Sequence, residues 1–148
     1  MDYLPRIVES RLEAALASVP VVILDGARAS GKTTTARRHA ASELLLPRDL
    51  PLLQSDPGHY LAGLEPPVLI DEWQLAGVDL LWTIKGIVDQ DPLPRRFLLT
   101  GSVEPATYGP TYPLTGRSAR ILMRPMNRAE LAGRGTERTF LAHILESG

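Results

Sequence analysis

The feature that most constrains this chain is a glycine-rich octapeptide at residues 26–33, which matches G-x-x-x-x-G-K-[ST] at every fixed position. It follows the short apolar run Val21-Val22-Ile23-Leu24, which is typical of a strand buried on both faces. Residues 32–40 after it are predicted to be helical. A buried strand, a glycine loop and a helix in this order form the context in which such a loop binds phosphate. The segment therefore predicts an α/β fold.

The residue types in this loop suit a nucleoside triphosphate with Mg²⁺. Gly26 and Gly31 would adopt backbone conformations forbidden to other residues and direct N–H groups at phosphate oxygens. Lys32 would reach the β- and γ-phosphates, and the Thr33 hydroxyl would occupy one Mg²⁺ position. A glycine turn that contains Gly-Lys-Thr by chance is the alternative, which the flanking strand and helix disfavour. The residues expected around the phosphates are Gly26, Ala27, Arg28, Ala29, Ser30, Gly31, Lys32, Thr33 and Thr34.

A pair of acids, Asp71-Glu72, follows the second apolar run, Val68-Leu69-Ile70. This is the form of a Walker B element, in which Asp71 holds Mg²⁺ through water and Glu72 polarises the attacking water. A helix N-terminus that carries two acids is the alternative. The position of the pair after a phosphate loop in the same chain favours the functional interpretation.

Thr100 ends a third apolar run, Phe97-Leu98-Leu99. In a parallel sheet its hydroxyl would lie at the same carboxyl edge as Gly26 and Asp71, where it would orient water against the γ-phosphate. A threonine that bonds its own turn is an equally simple explanation.

Arg117 follows Gly116 just before the last predicted strand. Its guanidinium would neutralise γ-phosphate charge in a neighbouring subunit. Arg120 and Arg124 are alternatives for this role, and a solvated surface position is the alternative for each of them.

The rest of the pattern predicts one α/β domain with a parallel sheet and helices on its faces. Apolar spacing indicates an N-terminal amphipathic helix over residues 4–16, with Arg6 on its polar face. Many prolines and glycines interrupt residues 44–67. The remaining predicted elements are a weak strand at 44–46, a helical turn at 59–64, a helix at 79–89, strands at 96–100 and 119–123, a loop at 104–116, and two short helical pieces within 127–148.

Composition narrows the class of protein. The 16 basic and 17 acidic residues nearly cancel, so nucleic acid is neither indicated nor excluded by net charge. The chain has no cysteine, which removes disulfides and thiolate sites. Its apolar runs are far shorter than the roughly 20 residues of a membrane helix, and residues 1–9 lack the pattern of a signal peptide. We expect a cytoplasmic protein that does not enter a membrane.

In these motifs the chain resembles the AAA-type P-loop ATPase domain at the N-terminus of many bacterial and archaeal proteins that carry an uncharacterised C-terminal domain. The resemblance implies an AAA-like sheet with an extra strand between the Walker A and Walker B segments. It also implies ATP and Mg²⁺ as ligands, Thr100 as a sensor and Arg117 as an arginine finger. The matching stretches are Tyr3-Leu4-Pro5-Arg6-Ile7-Val8, residues 26–35, Leu69-Ile70-Asp71-Glu72-Trp73-Gln74, Phe97-Leu98-Leu99-Thr100-Gly101-Ser102, Gly116-Arg117 and Met123-Arg124-Pro125-Met126.

Members of that family continue well beyond the motif near Met126. Residues 1–148 are therefore expected to be a single domain that forms the N-terminal part of a longer protein, without the lid and the C-terminal domain. We expect such a domain either to form a homo-oligomer or to bind another protein.

Three functions agree with these features. The first is Mg²⁺-dependent ATP hydrolysis coupled to a conformational change. The second is a nucleotide-dependent switch or binding module with little turnover. The third is a small-molecule phosphotransferase, which the paired acids disfavour because they suit the activation of water. ATP rather than GTP rests on the resemblance and on the lack of an Asn/Thr-Lys-x-Asp segment.

Overall fold

The computed structural model describes residues 3–27, 29–102 and 109–133. Its centre is a five-stranded sheet of order β2-β3-β4-β1-β5, in which every pair of neighbouring strands is parallel. The strands are β1 (Val21–Asp25), β2 (Ser42–Leu45), β3 (Val68–Asp71), β4 (Phe97–Gly101) and β5 (Ser118–Leu122). The helices are α1 (Val8–Leu16), α2 (Lys32–Arg37), α3 (Pro57–Ala62), α4 (Val78–Gln90) and α5 (Arg128–Leu131). Short 3₁₀ turns cover Leu50–Leu53 and Trp73–Ala76.

Alternation of side chains along the central strands divides the core into two layers. Val21 and Ile23 of β1 pack against the face covered by α3 and α4. Val22 and Leu24 pack against the other face, which is covered by α1 and α2. Because both faces are covered, the strand is apolar throughout rather than alternating. The predicted parallel sheet between helices is confirmed.

The extra strand expected between the two nucleotide motifs is β2. It lies at one edge of the sheet and pairs with β3, where Leu44 stands opposite Ile70. The weak strand predicted at residues 44–46 is real, but it covers Ser42–Leu45. The order of the strands places β1, β3 and β4 side by side, so that the loops after them meet at one carboxyl edge.

The N-terminal helix is shorter than predicted, because α1 begins at Val8 and not at Leu4. The placement of Arg6 on a polar face was wrong, since this residue is only 3% exposed. The backbone N–H groups before the helix are held by carboxylates: that of Arg6 donates to Glu9 and that of Ile7 donates to Glu130. These bonds fix the position of the segment before the helix, which apolar spacing alone does not reveal.

The proline-rich segment is more regular than its composition predicts. Asp56 caps α3 by accepting a hydrogen bond from the backbone N–H of His59, and Pro57 occupies the first turn of the helix. The predicted helical turn at 59–64 is therefore a helix that begins two residues earlier. The 3₁₀ turn Leu50–Leu53 has no counterpart in the sequence-based prediction.

Helix α2 is shorter than the helix predicted over residues 32–40. Helix α2 ends at Arg37, and the N–H groups of Arg38 and His39 bond in the tighter i to i−3 pattern instead. Near the C-terminus a capping box at Asn127 opens α5, the first of the two predicted helical pieces. The second piece and residues 104–108 of the predicted loop lie outside the described residues.

Candidate nucleotide site

The phosphate loop follows β1 at the carboxyl edge of the sheet. Gly31 has a φ of 89° and Ala29 a φ of 61°, so the chain bends through left-handed conformations at two positions. Successive N–H groups in such a bend point toward one concave side, which is the arrangement that binds anions. Arg28, also expected around the phosphates, lies outside the described residues. Thr34 is exposed on α2 and lines the cavity at the mouth of the loop.

Gly26 is required for a different reason from the one the motif suggests. A Cβ atom on Gly26 would lie 2.3 Å from the carbonyl oxygen of Met123, which follows β5. The backbone N–H of Met123 in turn donates to the carbonyl of Asp25. The first glycine of the loop thus allows a close approach of two backbones, whereas Gly31 supplies the unusual φ value.

The Lys32 side chain lies across its own loop and is 6% exposed. Its ammonium donates to the carbonyl oxygens of Gly26 and Ala27 at 2.7 and 2.8 Å and to Ser102 Oγ at 3.1 Å. These three bonds use all three N–H donors of the ammonium. The ammonium of Lys32 is therefore held against its own loop by these three acceptors. A bound phosphate oxygen would replace one of them.

Three predicted site residues from different parts of the chain meet at one carboxylate. Asp71 Oδ1 accepts hydrogen bonds from Thr33 Oγ1 at 2.7 Å and from Thr100 Oγ1 at 2.5 Å. Thr100 Oγ1 also accepts from the backbone N–H of Glu72 at 3.2 Å. Thr100 thus bonds to the neighbouring strand and not to its own turn, and it connects the two acids of the Asp71-Glu72 pair.

Glu72 lies at the other side of the same cavity in an unusual conformation. Its φ of 56° and ψ of 48° are left-handed, which is uncommon for a residue other than glycine, asparagine or aspartate. Its carboxylate accepts a 2.5 Å hydrogen bond from the Gln74 side-chain amide. Together with Lys32 and Thr33 it lines a cavity of about 600 Å³. Backbone strain of this kind is concentrated at functional sites.

Gly101, at the end of β4, lets the Asp-Glu-Trp-Gln and Leu-Thr-Gly-Ser segments pack closely against each other. A Cβ atom there would lie 2.7 Å from Gln74 Oε1 and 2.8 Å from Trp73 Nε1. Trp73 is 2% exposed and belongs to the core cluster on the α4 face. The missing side chain at Gly101 therefore makes the space in which Trp73 and Gln74 pack, and Gln74 in turn holds Glu72.

Arg117 is not brought to this edge within the chain. It immediately precedes β5, at the amino edge of the sheet, and its guanidinium donates to Asp89 at 2.5 Å. Hydrogen bonds from Arg117 and Lys85 lower the pKa of Asp89 to about 2. Of the two alternative arginines, Arg120 pairs with Asp25 at 2.6 Å. The finger role of Arg117 concerned a neighbouring subunit and stays a prediction.

Sequence reasoning missed two residues of the site. Ser102 accepts from Lys32 and donates to the Gly26 carbonyl at 2.8 Å, so it fastens the loop to the end of β4. Arg6 donates to the carbonyl of Ser30 at 2.6 Å. Both lie in stretches that carry the family resemblance, which was the only available signal. The partners of both residues are far away in sequence.

The protein groups present fit a magnesium ion. Thr33 Oγ1 and Asp71 Oδ1 are oxygen atoms, the donor type that Mg²⁺ prefers, and they lie 2.7 Å apart beside the phosphate loop. Mg²⁺ usually takes one or two protein oxygens together with substrate phosphates and water. Over residues 3–27, 29–102 and 109–133 no group of three or more His, Cys, Asp or Glu side chains could hold a metal ion by itself. Thr33 and Asp71 would therefore hold Mg²⁺ only together with a nucleotide.

The fold and the loop define a P-loop NTPase domain, the class of protein that cradles nucleotide phosphates in such a loop. The fold matches a solved structure described as the P-loop NTPase domain of the Sigma-54 transport activator from E. coli, with a TM-score of 0.54. The match covers 80% of this chain and 93% of that chain, at 17% sequence identity. At this identity the likeness concerns the fold alone.

Residues 18–132 match the family model described as AAA domain, and the chain belongs to that family. Two curated relatives are the uncharacterized proteins Mb2031c of Mycobacterium bovis and Rv2008c of Mycobacterium tuberculosis. Each is 32% identical over 138 residues, which cover 89% of this chain. The match spans only 31% of the length of either relative. In the described part of the chain, no helix is both long and apolar enough to cross a membrane.

Proposed function

We propose that the domain binds ATP with Mg²⁺ and hydrolyses it, and that the nucleotide state changes its conformation. The observation that carries the proposal is the convergence of the Thr33 and Thr100 hydroxyls on one carboxylate oxygen of Asp71, beside Glu72. P-loop catalysis consists mainly of positioning and charge neutralisation; these residues would supply the positioning, and Lys32 and Mg²⁺ would supply the charge neutralisation. The cytoplasmic location and the place of this chain in a longer protein stay predictions from its sequence.

Each residue has a defined task in this proposal. The loop N–H groups and Lys32 would hold the phosphates, and Glu72 would take a proton from the attacking water. Thr33 and Asp71 would hold Mg²⁺, which supplies charge neutralisation on the phosphate oxygens. Thr100 would hold the Asp71 carboxylate and the Glu72 backbone in fixed positions relative to each other. The finger, if Arg117 supplies it, would come from a second copy of the chain.

The test measures Mg·ATP binding by calorimetry and phosphate release in the same preparations. Lys32→Ala is expected to weaken binding by at least about tenfold, because a hydrogen-bonded charge is worth roughly 1.5–3 kcal/mol. Glu72→Gln is expected to retain binding and to lower phosphate release by about 10²–10⁴-fold, the usual contribution of a general base. Lys85→Ala, at an exposed α4 ion pair, is the matched control for lysine removal. Wild-type protein that fails to bind Mg·ATP would refute the proposal.

One observation favours a second candidate, a nucleotide-dependent switch with slow turnover. Gln74 donates to one oxygen of the carboxylate of Glu72, whose backbone is strained, so this bond restricts the orientation of that carboxylate toward water. A domain in which this bond holds Glu72 away from the attacking water would bind ATP and change conformation with little phosphate release. Gln74→Ala separates the two: it accelerates phosphate release in the switch and slows it where Gln74 orients Glu72 for hydrolysis.

A further inference from the structure

Arg6 joins three parts of the chain in the interior. Its Nη1 donates to the Ser30 carbonyl of the phosphate loop at 2.6 Å, and its Nη2 donates to the Arg124 carbonyl after β5 at 2.5 Å. Its Nε donates to Glu130 Oε1 at 3.2 Å. A guanidinium presents its donors in a fixed planar fork, so these three acceptors are held in one geometry. A shift of the segment after β5 therefore acts on the carbonyl of Ser30.

Glu130 fixes the other end of this connection. It is 4% exposed and accepts from the backbone N–H groups of Ile7 and Asn127 as well as from Arg6. Burial raises the pKa of Glu130, but the hydrogen bonds from Asn127, Ile7 and Arg6 outweigh this effect and the net pKa is lowered. The carboxylate is thus a charged partner for Arg6, and α5 is tied to the N-terminal segment through it.

The same segment also touches the loop directly. A Cβ atom on Gly31 would lie 3.0 Å from Arg6 Nη1 and 3.7 Å from Met123 Cε. Gly26 lies against the Met123 carbonyl on the same side. The outer side of the phosphate loop is therefore backed by Arg6 and by the chain that follows β5, while its inner side carries Lys32.

We propose that Arg6 is a positioning residue of the nucleotide site, through which residues 123–131 and the phosphate loop set each other's conformation. This inference rests on the proposed function and adds to it a route of communication. Coupling between two sites is reciprocal, so a segment that stabilises the loop must itself be stabilised when nucleotide binds. Residues 123–131 then change their conformation with the nucleotide state and pass this change on to any partner that binds them.

The test uses the 148-residue chain and three arginine variants. Arg6→Lys keeps the charge beside Glu130 but cannot reach three acceptors with a planar fork. Arg6→Gln removes the charge as well. Arg11→Lys, at an exposed arginine of α1, is the matched control. Amide hydrogen exchange of residues 29–33 and 123–131 is measured with and without saturating Mg·ATP, and the Kd for Mg·ATP is measured by calorimetry.

Mg·ATP is expected to slow exchange in residues 123–131 of the wild type and of Arg11→Lys. In Arg6→Lys we expect Kd to rise about tenfold, and saturating Mg·ATP to leave exchange in 123–131 unchanged. Loss of that response at saturation is not expected of a merely structural residue. A Kd within twofold of wild type together with an intact response would overturn the inference.

Two additions keep the outcome decisive. If both Arg6 variants fail to fold, Glu130→Gln is used instead, because it keeps the shape of the Glu130 side chain that Arg6 binds. This variant is expected to raise the Kd for Mg·ATP about threefold and to weaken the response of hydrogen exchange in residues 123–131 to Mg·ATP. If wild-type protein does not bind Mg·ATP, the proposed function fails, and exchange without nucleotide decides the inference alone. Faster exchange of residues 29–33 in Arg6→Lys than in Arg11→Lys then supports the positioning role, and equal rates refute it.

Discussion

Removing the Thr100 hydroxyl tests whether the convergence of side chains on Asp71 is real. Thr100 is completely buried, donates to Asp71 Oδ1 and accepts from the Glu72 N–H. Thr100→Val keeps the shape and volume of the side chain and removes both bonds. The Glu72 N–H loses its acceptor, and the carboxylate of Asp71 retains only its bond from Thr33 among the two hydroxyl donors.

The expected cost follows from these two losses. A buried group left without its partner costs roughly 1–3 kcal/mol, so we expect the free energy of unfolding to fall by about 2 kcal/mol. For a chain of this size that corresponds to a melting temperature lower by about 4–8 °C. Thermal unfolding followed by circular dichroism measures it. Phosphate release is expected to fall about tenfold or more, because Glu72 loses the bond that fixes its backbone.

Thr100→Ser is the matched control, since it keeps the hydroxyl and removes only a methyl group. It is expected to retain the phosphate release of the wild type and to lose stability of about 1 kcal/mol through the small cavity. Equal melting temperatures for Thr100→Val and the wild type would show that the two hydrogen bonds do not stabilise the fold. Equal phosphate release by Thr100→Val and Thr100→Ser would remove Thr100 from the site.

Two further predictions concern the packing behind the site and the amino edge. Gly101→Ala places a methyl group against Trp73 and Gln74, and calorimetry is expected to show that the protein is destabilised by about 1–3 kcal/mol. Gly86→Ala in α4 is the matched control. Its methyl group meets nothing within 4 Å, so this variant is expected to stabilise the protein by about 0.4–1 kcal/mol. Asp89 has its pKa lowered from 3.8 to about 2 by hydrogen bonds from Arg117 and Lys85, so its stabilisation is complete above pH 4–5 and is lost as the pH falls toward 2. Asp89→Asn is therefore expected to be less stable than the wild type at pH 7 in urea unfolding, with a difference that narrows as the pH falls toward 2 and closes below it. A difference that does not change with pH would contradict the assignment.

Local patterns were sufficient to predict the sheet and the meeting of several candidate site residues at its carboxyl edge. A strand buried on both faces is a continuous apolar run, so β1, β3 and β4 are visible in the sequence. Since parallel strands end at one edge, the residues after these runs were expected to meet. Asp71 and Thr100 do so at 2.5 Å. The prediction depended only on which residues follow which run.

Contacts between distant segments were not predictable in this way. Arg6 looked like a surface charge because helical spacing separates polar from apolar residues and contains no information about Glu130, 124 positions away. The close contact of Gly26 with Met123 is likewise a contact between distant segments, and it replaces the φ requirement that the motif suggests. Residues 44–67 were obscured because a proline at the first turn of α3 is a helix signal that resembles a helix breaker.

The end of β4 is where the parts of the site depend on one another. Thr100 bonds to Asp71, Gly101 makes room for Gln74 and so for Glu72, and Ser102 bonds to both Lys32 and the loop carbonyl of Gly26. A phosphate that binds Lys32 must take the place of at least one of its three acceptors, because the ammonium has no further donor. If the displaced acceptor is Ser102, the end of β4 stays joined to the loop through the bond from Ser102 to the Gly26 carbonyl, while Thr100 still holds the carboxylate of Asp71. The same three consecutive residues therefore connect the phosphate side of the cavity to the side that carries the acids.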